Sequence, residues 1–400
     1  MKLWQKVTLG LILGIIFGIY LPEYVSYIKP IGDIFLRMIK MIIAPLIFFS
    51  LVTGIVSMSD PSSLGRVGMK AIMAFFSTTF FAVIFGIIVA LLLKPGQGIN
   101  IDFGLAQNID KAPSFDMVNF FINVIPDNAV GTFVNNNILQ VVFFAIFTGV
   151  ILNKMGTSAS SIKDLFHVIS KMILQMISVI VQFSPYATFA LTAWIVGIQG
   201  MAIMISLCKL VCAITIAMIL QYAIFGLFIL VFCRMSPVPF YKKSLEYQLI
   251  AFSTGSSKAS LATTMKVCRE KLGISESSTS FVLPLGASIN MDGLSIKLGL
   301  AVIFFAQILH IDLSIMDYML VILTSTLGSI GGAGIPGSFI IMLPVVLSSI
   351  NLPIEGVALL VGIDRVLDLL STTINITGDA TITLIVDHSE GTLDKEKYLS

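Results

Sequence analysis

A chain of 400 residues would ordinarily form two or three soluble domains, but 56% of these residues are hydrophobic and only 12% are charged, about half the roughly 25% of a soluble domain. Mean hydropathy is +0.99, so most segments are apolar on every side and are solvated by lipid or by one another. A net charge of +2 excludes a broad basic surface for nucleic acid.

A bilayer-spanning helix needs about 20 mostly apolar residues. The first run, 7–21, lacks a small-residue cleavage site and leads into further apolar segments, so it reads as a span and not as a signal peptide. Further spans are expected at 31–57, 71–93, 117–152, 168–198 and 204–233. The stretch 117–152 carries Pro126, Asp127 and the run Asn135 to Asn137, and is expected to bend or split. Cys208, Cys212, Cys233 and Cys268 lie in or beside apolar segments with no His nearby to complete a metal site, and read as small buried hydrophobes. Lys and Arg cluster at Lys2 and Lys6, Arg66 and Lys70, Lys154 and Lys163, Arg234 to Lys243, and Lys395 and Lys397, but not at the turns near Gly200 or 310–312. That alternation places both termini in the cytoplasm with an even number of spans.

After residue 245 the pattern changes. One apolar stretch carries Ser253-Thr254-Gly255-Ser256-Ser257-Lys258 at its middle, and another carries Gly328 to Ser338 with five glycines and Pro336. Such sequences cannot continue an ordinary helix. Each reads as a re-entrant hairpin, about 247–270 and 317–348, whose tip is tolerated at membrane depth only inside protein or against a water-filled cavity. Each is followed by a span holding ionisable groups, 277–307 and 354–387, which brings the expected spans to eight. Paired interrupted segments of this kind point to a transporter binding site.

The strongest single feature is the last span. Asp364, Asp368, Thr372, Asn375 and Asp379 are spaced 4, 4, 3 and 4 and fall on one helical stripe, with Ser371 beside it. A charge at the bilayer centre costs at least about 2.5–3.5 kcal/mol, so three carboxylates need cations, donors or water. Ion pairs with Arg365, Lys297 and Lys258 are the structural explanation. The functional one is a path for a hard cation, which takes oxygen ligands, and for a substrate carboxylate at the helix N-termini of the hairpin tips. The segment Gly286-Ala287-Ser288-Ile289-Asn290-Met291-Asp292-Gly293 suggests a helix unwound around an ion, or a polar kink with an Asp292–Lys297 pair.

From about 251 to 391 the chain resembles the dicarboxylate/amino acid:cation symporter family, the glutamate-transporter homologues. The resemblance rests on Ser256-Ser257, Asn290-Met291-Asp292-Gly293, Gly334-Ile335-Pro336-Gly337 and Asp364…Asp368…Thr372…Asn375…Gly378-Asp379, in that order. Upstream it is looser, mainly Thr78-Thr79 and Pro95-Gly96. It implies an all-α membrane protein of eight transmembrane helices and two re-entrant helical hairpins arranged as inverted repeats. It further implies a homotrimer in the inner (plasma) membrane, with a scaffold of 1–70 and 117–200 and a transport domain of 71–116 and 201–400 that moves as an elevator.

By position, the resemblance assigns Asp368 to a substrate ammonium group and Asn375, Thr372, Ser257 and Ile335 to its α-carboxylate, with Met291 and Ser371 in the same pocket. Asp379, Asn290, Asn375 and Gly286 would form one sodium site, and Asp292, Asn290, Thr78 and Thr79 a second. Ser288, Met291, Ser329, Ile330 and Gly332 would offer carbonyls to a third. Members that take acidic substrates carry an arginine where this chain has Ser371, and further departures are Leu294, Gly255 and Phe75. Loss of that donor favours sodium symport of a small neutral amino acid of the Ala/Ser/Cys/Thr type. The alternative is sodium- or proton-coupled symport of aspartate, glutamate or a C4-dicarboxylate, with Lys258, Lys297 or Arg365 in place of the arginine. Asp379 and Asp292 favour sodium as coupling ion, with no organic cofactor. Two other classes are weaker. An intramembrane enzyme would need an activated nucleophile beside Asp292 or Asp364, and a channel would need a filter or charged rings.

Overall fold

The computed structural model describes residues 3–57, 66–98, 122, 124–135, 138–200, 202–331, 337–354, 357 and 360–400. Regular structure among them is helical throughout. The helices are α1 (Leu3–Tyr20), α2 (Val25–Ser57), α3 (Arg66–Leu93), α4 (Ala129–Val134), α5 (Ile138–Lys154), α6 (Ser160–Gln182), α7 (Ser184–Gln199) and α8 (Ala202–Phe228), the last extended by a wider turn over Ile229–Cys233. Then come α9 (Val238–Thr254), α10 (Ser257–Glu270), α11 (Glu276–Ile289), α12 (Asp292–Ile308), α13 (Ile315–Gly331), α14 (Ser338–Ser349), α15 (Val361–Glu390) and α16 (Lys395–Leu399).

All eight expected spans overlap helices. Among the described residues four helical stretches are long and apolar enough to cross a bilayer, 66–93, 203–233, 276–308 and 366–390, and six if two bent pairs each count as one. The expected single span 168–198 is one of those pairs. Its α6 and α7 meet at a 50° bend, where Pro185 enters the first turn of α7 and cannot continue the hydrogen-bond ladder of α6. The expected break in 117–152 lies at Asn135, between α4 and α5; residues 117–121, 123, 136 and 137 lie outside the described set. The last span begins at Val361 and not at 354.

Helices α1, α2, α5, α6 and α7 pack on one another, and α3 packs against α8, α11, α12, α13 and α15. In the first group α1 lies close along α7. A Cβ at Gly10, Gly14 or Gly18 would come within 2.5–2.7 Å of the carbonyl oxygens of Pro185, Phe189 and Ala193, the small-residue contact by which apolar helices approach without a hydrophobic driving force. In the second group α12 is the axis. Its residues are buried almost without exception, against α3, α8, α13, α14 and α15.

Both re-entrant elements are helical hairpins. In the first, α9 ends at Gly255, whose φ of +63° is open to glycine at little cost, and α10 starts after Ser256, which caps it by accepting from the Ala259 N–H at 3.3 Å. The second pairs α13 with α14, which opens after Gly337 at φ +74°; residues 332–336 are outside the described set. The first hairpin starts at Val238, nine residues before the expected 247. Its charged residues look like a loop, but the helix runs through them. Lys243 Nζ reaches the carbonyls of Lys271, Lys397 and Tyr398 at 2.8–3.0 Å, and Lys271 pairs with Glu246 at 2.6 Å. Cys233 and Cys268 are buried as expected, whereas Cys208 and Cys212 face outward from α8.

Candidate binding site at the hairpin tips and the broken helix

The site is built around an interruption between α11 and α12. Asn290 is extended (φ −95°, ψ 109°) and Met291 leaves helical geometry (φ −131°, ψ 55°) before α12 resumes at Asp292. The unwinding costs two residues of helix, and it points Asn290 and Asp292 at α3 and α15.

Five side chains meet there. Asn290 donates to Asp379 Oδ1 at 3.0 Å and its carbonyl oxygen lies 3.3 and 3.2 Å from the hydroxyls of Thr78 and Thr79. The Thr79 hydroxyl is also 3.1 Å from Asp292 Oδ1, so one proton is shared between two acceptors. The second oxygens of both carboxylates, Asp292 Oδ2 and Asp379 Oδ2, are buried with no hydrogen-bond partner among the described residues. No described basic side chain forms an ion pair with either acid. Two buried carboxylates, each with one oxygen unsatisfied, are strongly unfavourable in an apolar interior. The oxygen-only donor set fits a hard monovalent or divalent cation, and among the described residues no cluster of three or more His, Cys, Asp or Glu fits a metal ion. The packing is tight enough to need glycine at 378, where a Cβ would sit 2.9 Å from Asn290 Nδ2 and 3.1 Å from Asp292 Oδ2.

A second cluster adjoins the first through the same interrupted segment. A small polar cavity of about 20 Å³ is lined by Gly255, Ser256, Ser257, Met291, Ser338, Asp368, Ser371, Thr372 and Asn375. That is room for about one water molecule. Asn375 ties the two clusters together: its carbonyl oxygen accepts from Gly293 N at 2.8 Å and its amide contacts Met291 Sδ at 3.1 Å. Thr372 spends its hydroxyl proton on the Asp368 carbonyl at 2.8 Å and offers the pocket lone pairs only. Ser257, Ser338 and Ser371 are buried residues that line the same cavity.

The structure thus brings Ser257, Met291, Asp368, Ser371, Thr372 and Asn375 into one pocket and Thr78, Thr79, Asn290, Asp292 and Asp379 into one cage. Gly286 borders the cage, and its carbonyl already accepts from Asn290 N at 2.7 Å. The Ser288 side chain faces outward and bonds Pro284 O at 2.8 Å, so only its carbonyl is available inward. Ser329 is buried, with its hydroxyl on Thr326 O at 2.8 Å. Ile330 closes α13 in backbone, while Gly332 and Ile335 lie outside the described residues. Ser338 was not singled out from sequence, although a signal existed: like Ser257 it is the first residue of an outgoing hairpin arm just past a left-handed glycine.

Lys297 resolves one open expectation. It does not pair with Asp292. Its Nζ lies 3.3 Å from Asp364 Oδ1 and 3.5 Å from Asp368 Oδ1, fully buried. Lys258 is exposed at the start of α10, and the side chain of Arg365 is not described.

Comparison with known proteins identifies the family. The profile of the sodium:dicarboxylate symporter family matches residues 3–389. Among similar proteins is one called C4-dicarboxylate transport protein in Cupriavidus necator, 36% identical over 409 residues, covering 100% of this chain and 94% of that protein. Proteins of the same name in Bacillus subtilis, 35% identical (100% and 97% covered), and in Rhodospirillum rubrum, 33% identical (99% and 90% covered), are similar along their length. The chain therefore belongs to the sodium:dicarboxylate symporter family and is a multi-pass membrane transport protein, not an enzyme.

Proposed function

We propose that the chain is a sodium-coupled symporter of C4-dicarboxylates. The observation that carries this reading is the pair of buried carboxylate oxygens on Asp292 and Asp379 that meet no hydrogen-bond partner among the described residues, one interrupted segment away from a pocket lined by serine and threonine hydroxyls. The cage asks for cations and the pocket offers hydrogen-bond donors to an anion. Asn290-Met291-Asp292-Gly293 belongs to both, so ordering the segment around an ion also sets Met291 and Asn375 against the substrate. Such a shared element is what a coupling free energy between two sites requires.

The substrate class follows the relatives, which are named for C4-dicarboxylates. The expectation of a small neutral amino acid is set aside in their favour. It rested on Ser371 in place of a cationic donor, and Lys297 supplies a cation from α12 to the same acids. In our reading the substrate carboxylates take the hydroxyls of Ser257, Ser338 and Ser371 and the N–H groups that open α10. One sodium binds at Asp379, Asn290 and Asn375 with the Gly286 carbonyl. A second binds at Asp292, Asn290, Thr78 and Thr79, and a third at carbonyls of Ser288, Met291, Ser329, Ile330 and Gly332. The protein works as a homotrimer in the inner membrane with cytoplasmic termini. Residues 71–116 and 201–400 move against a scaffold of 1–70 and 117–200, and the second hairpin gates the outside.

The test is uptake of labelled succinate into proteoliposomes under an inward sodium gradient. Saturable uptake that stops when potassium or choline replaces sodium is expected. Uptake of serine or alanine with none of succinate, or succinate uptake indifferent to sodium, would reject the reading.

A further inference from the structure

We propose that Lys297 is a built-in counter-cation that occupies, at Asp368, the place a substrate's amino group would take, and so selects C4-dicarboxylates that carry no α-amino group. The inference rests on the dicarboxylate reading of the same pocket.

Lys297 is the fully buried basic residue among those described, 0% exposed on an axial helix of the core. A lysine in such a place is costly unless paired. Its partners are unlike one another. Asp368 lines the pocket, whereas Asp364, one turn earlier on α15, does not. The ammonium lies between them at 3.3 and 3.5 Å, both longer than the roughly 2.7–2.9 Å of a strong charge-assisted bond. It is therefore shared, not locked on either acid, and its four-carbon stem lets it shift toward one or the other. It also lies 4.9 Å from the centroid of the Phe339 ring, a contact in the cation–π range. Phe339 belongs to α14, so Lys297 touches the wall of the second hairpin as well as the acids of α15.

The electrostatic consequence differs between two kinds of substrate. A dicarboxylate entering beside an uncovered Asp368 would meet like charge at close range. With Lys297 on that acid the repulsion is screened and no cation need be brought by the substrate. An amino acid such as aspartate would instead direct its ammonium at Asp368, where a cation already sits. It must displace Lys297 toward Asp364 and then hold two positive groups side by side in a dry site. Discrimination by a built-in unfavourable contact of this kind is a general route to specificity. A merely structural ion pair would support folding and leave the choice between these substrates untouched.

The test is competition by aspartate and by fumarate against labelled succinate, in proteoliposomes holding the wild-type protein, Lys297→Gln, Lys297→Arg and the double variant Lys297→Gln/Asp368→Asn. Wild type is expected to prefer fumarate to aspartate. Lys297→Gln should move that preference toward aspartate by about tenfold or more, the scale of one hydrogen bond to a charged group. Lys297→Arg should keep the wild-type order. The double variant retains the formal charge of the trio and should lose the gain in aspartate. An unchanged preference in Lys297→Gln, with uptake of both reduced alike, overturns the proposal. If Lys297→Gln fails to assemble by size-exclusion chromatography, the double variant decides: aspartate competing there better than fumarate overturns it too. Absence of sodium-driven succinate uptake in wild type would be a failure of the dicarboxylate reading itself, which the same assay shows separately.

Discussion

The two ends of the acid stripe on α15 are built differently. At one end Asp364 and Asp368 share the buried ammonium of Lys297. At the other, among the described residues, Asp379 accepts from the amide of Asn290, and its second oxygen meets no hydrogen-bond partner, nor does that of its neighbour Asp292. The four acids are all buried, so burial alone does not distinguish them. What distinguishes them is whether the protein supplies the cation. Where it does, an ammonium offsets one of the two acid charges. Where it does not, the proposed function has an ion from solution complete the site, a dependence that a coupled transporter can use.

The largest expected effect breaks the uncompensated end. Asp379→Asn removes one of the two bare carboxylates and should weaken sodium dependence of uptake by about 100-fold or more, since leaving or removing one partner of a buried charge is worth about 3–5 kcal/mol. Sodium titration of succinate uptake measures it, and an unchanged half-saturation would refute the assignment. Gly378→Ala comes next. Alanine is the better helix former by about 1 kcal/mol, so on propensity alone the variant should be more stable. The new methyl would press on Asn290, Phe225 and Asp292, and overpacking of about 1–3 kcal/mol outweighs the propensity gain, so sodium affinity is expected to fall about tenfold and the melting temperature in detergent to fall with it. Thr79→Val keeps shape and removes a hydroxyl shared by Asn290 and Asp292. A loss of about fivefold in sodium affinity is expected, near 1 kcal/mol for one hydrogen bond. Ser288→Ala is the smallest: its hydroxyl points away from the cage to Pro284 O, so sodium titration should match wild type within about twofold. A large effect there would place the side chain, and not the carbonyl, in an ion site.

The same contrast explains what could be read from sequence. The stripe on α15 was legible because helical spacing is arithmetic, and so were the broken helix and the hairpins, because glycine, serine and proline interrupt apolar runs. Lys297 was harder. Its pairing with Asp292 could have been excluded, since residues five apart on one helix point about 140° away from each other. Its actual partners lie on α15, and no periodicity within one segment reports a contact between two. Ser371 led to the expectation of a neutral substrate for a related reason: one helix shows a missing donor but not the ammonium of Lys297, which reaches Asp364 and Asp368 from α12. The early start of the first hairpin was hidden because Lys243 and Glu246 look like loop residues until their partners, the carbonyls of Lys271, Lys397 and Tyr398 and the Lys271 ammonium, are seen in place.

The most direct measurement is equilibrium binding of succinate to the purified protein across a range of sodium concentrations, for wild type and Asp379→Asn. If the bare acids hold the coupling ion, wild-type affinity rises steeply with sodium and that dependence is flattened in the variant. Affinity that ignores sodium in wild type, or that follows it equally in both proteins, would contradict the idea that the uncompensated end of the stripe drives transport.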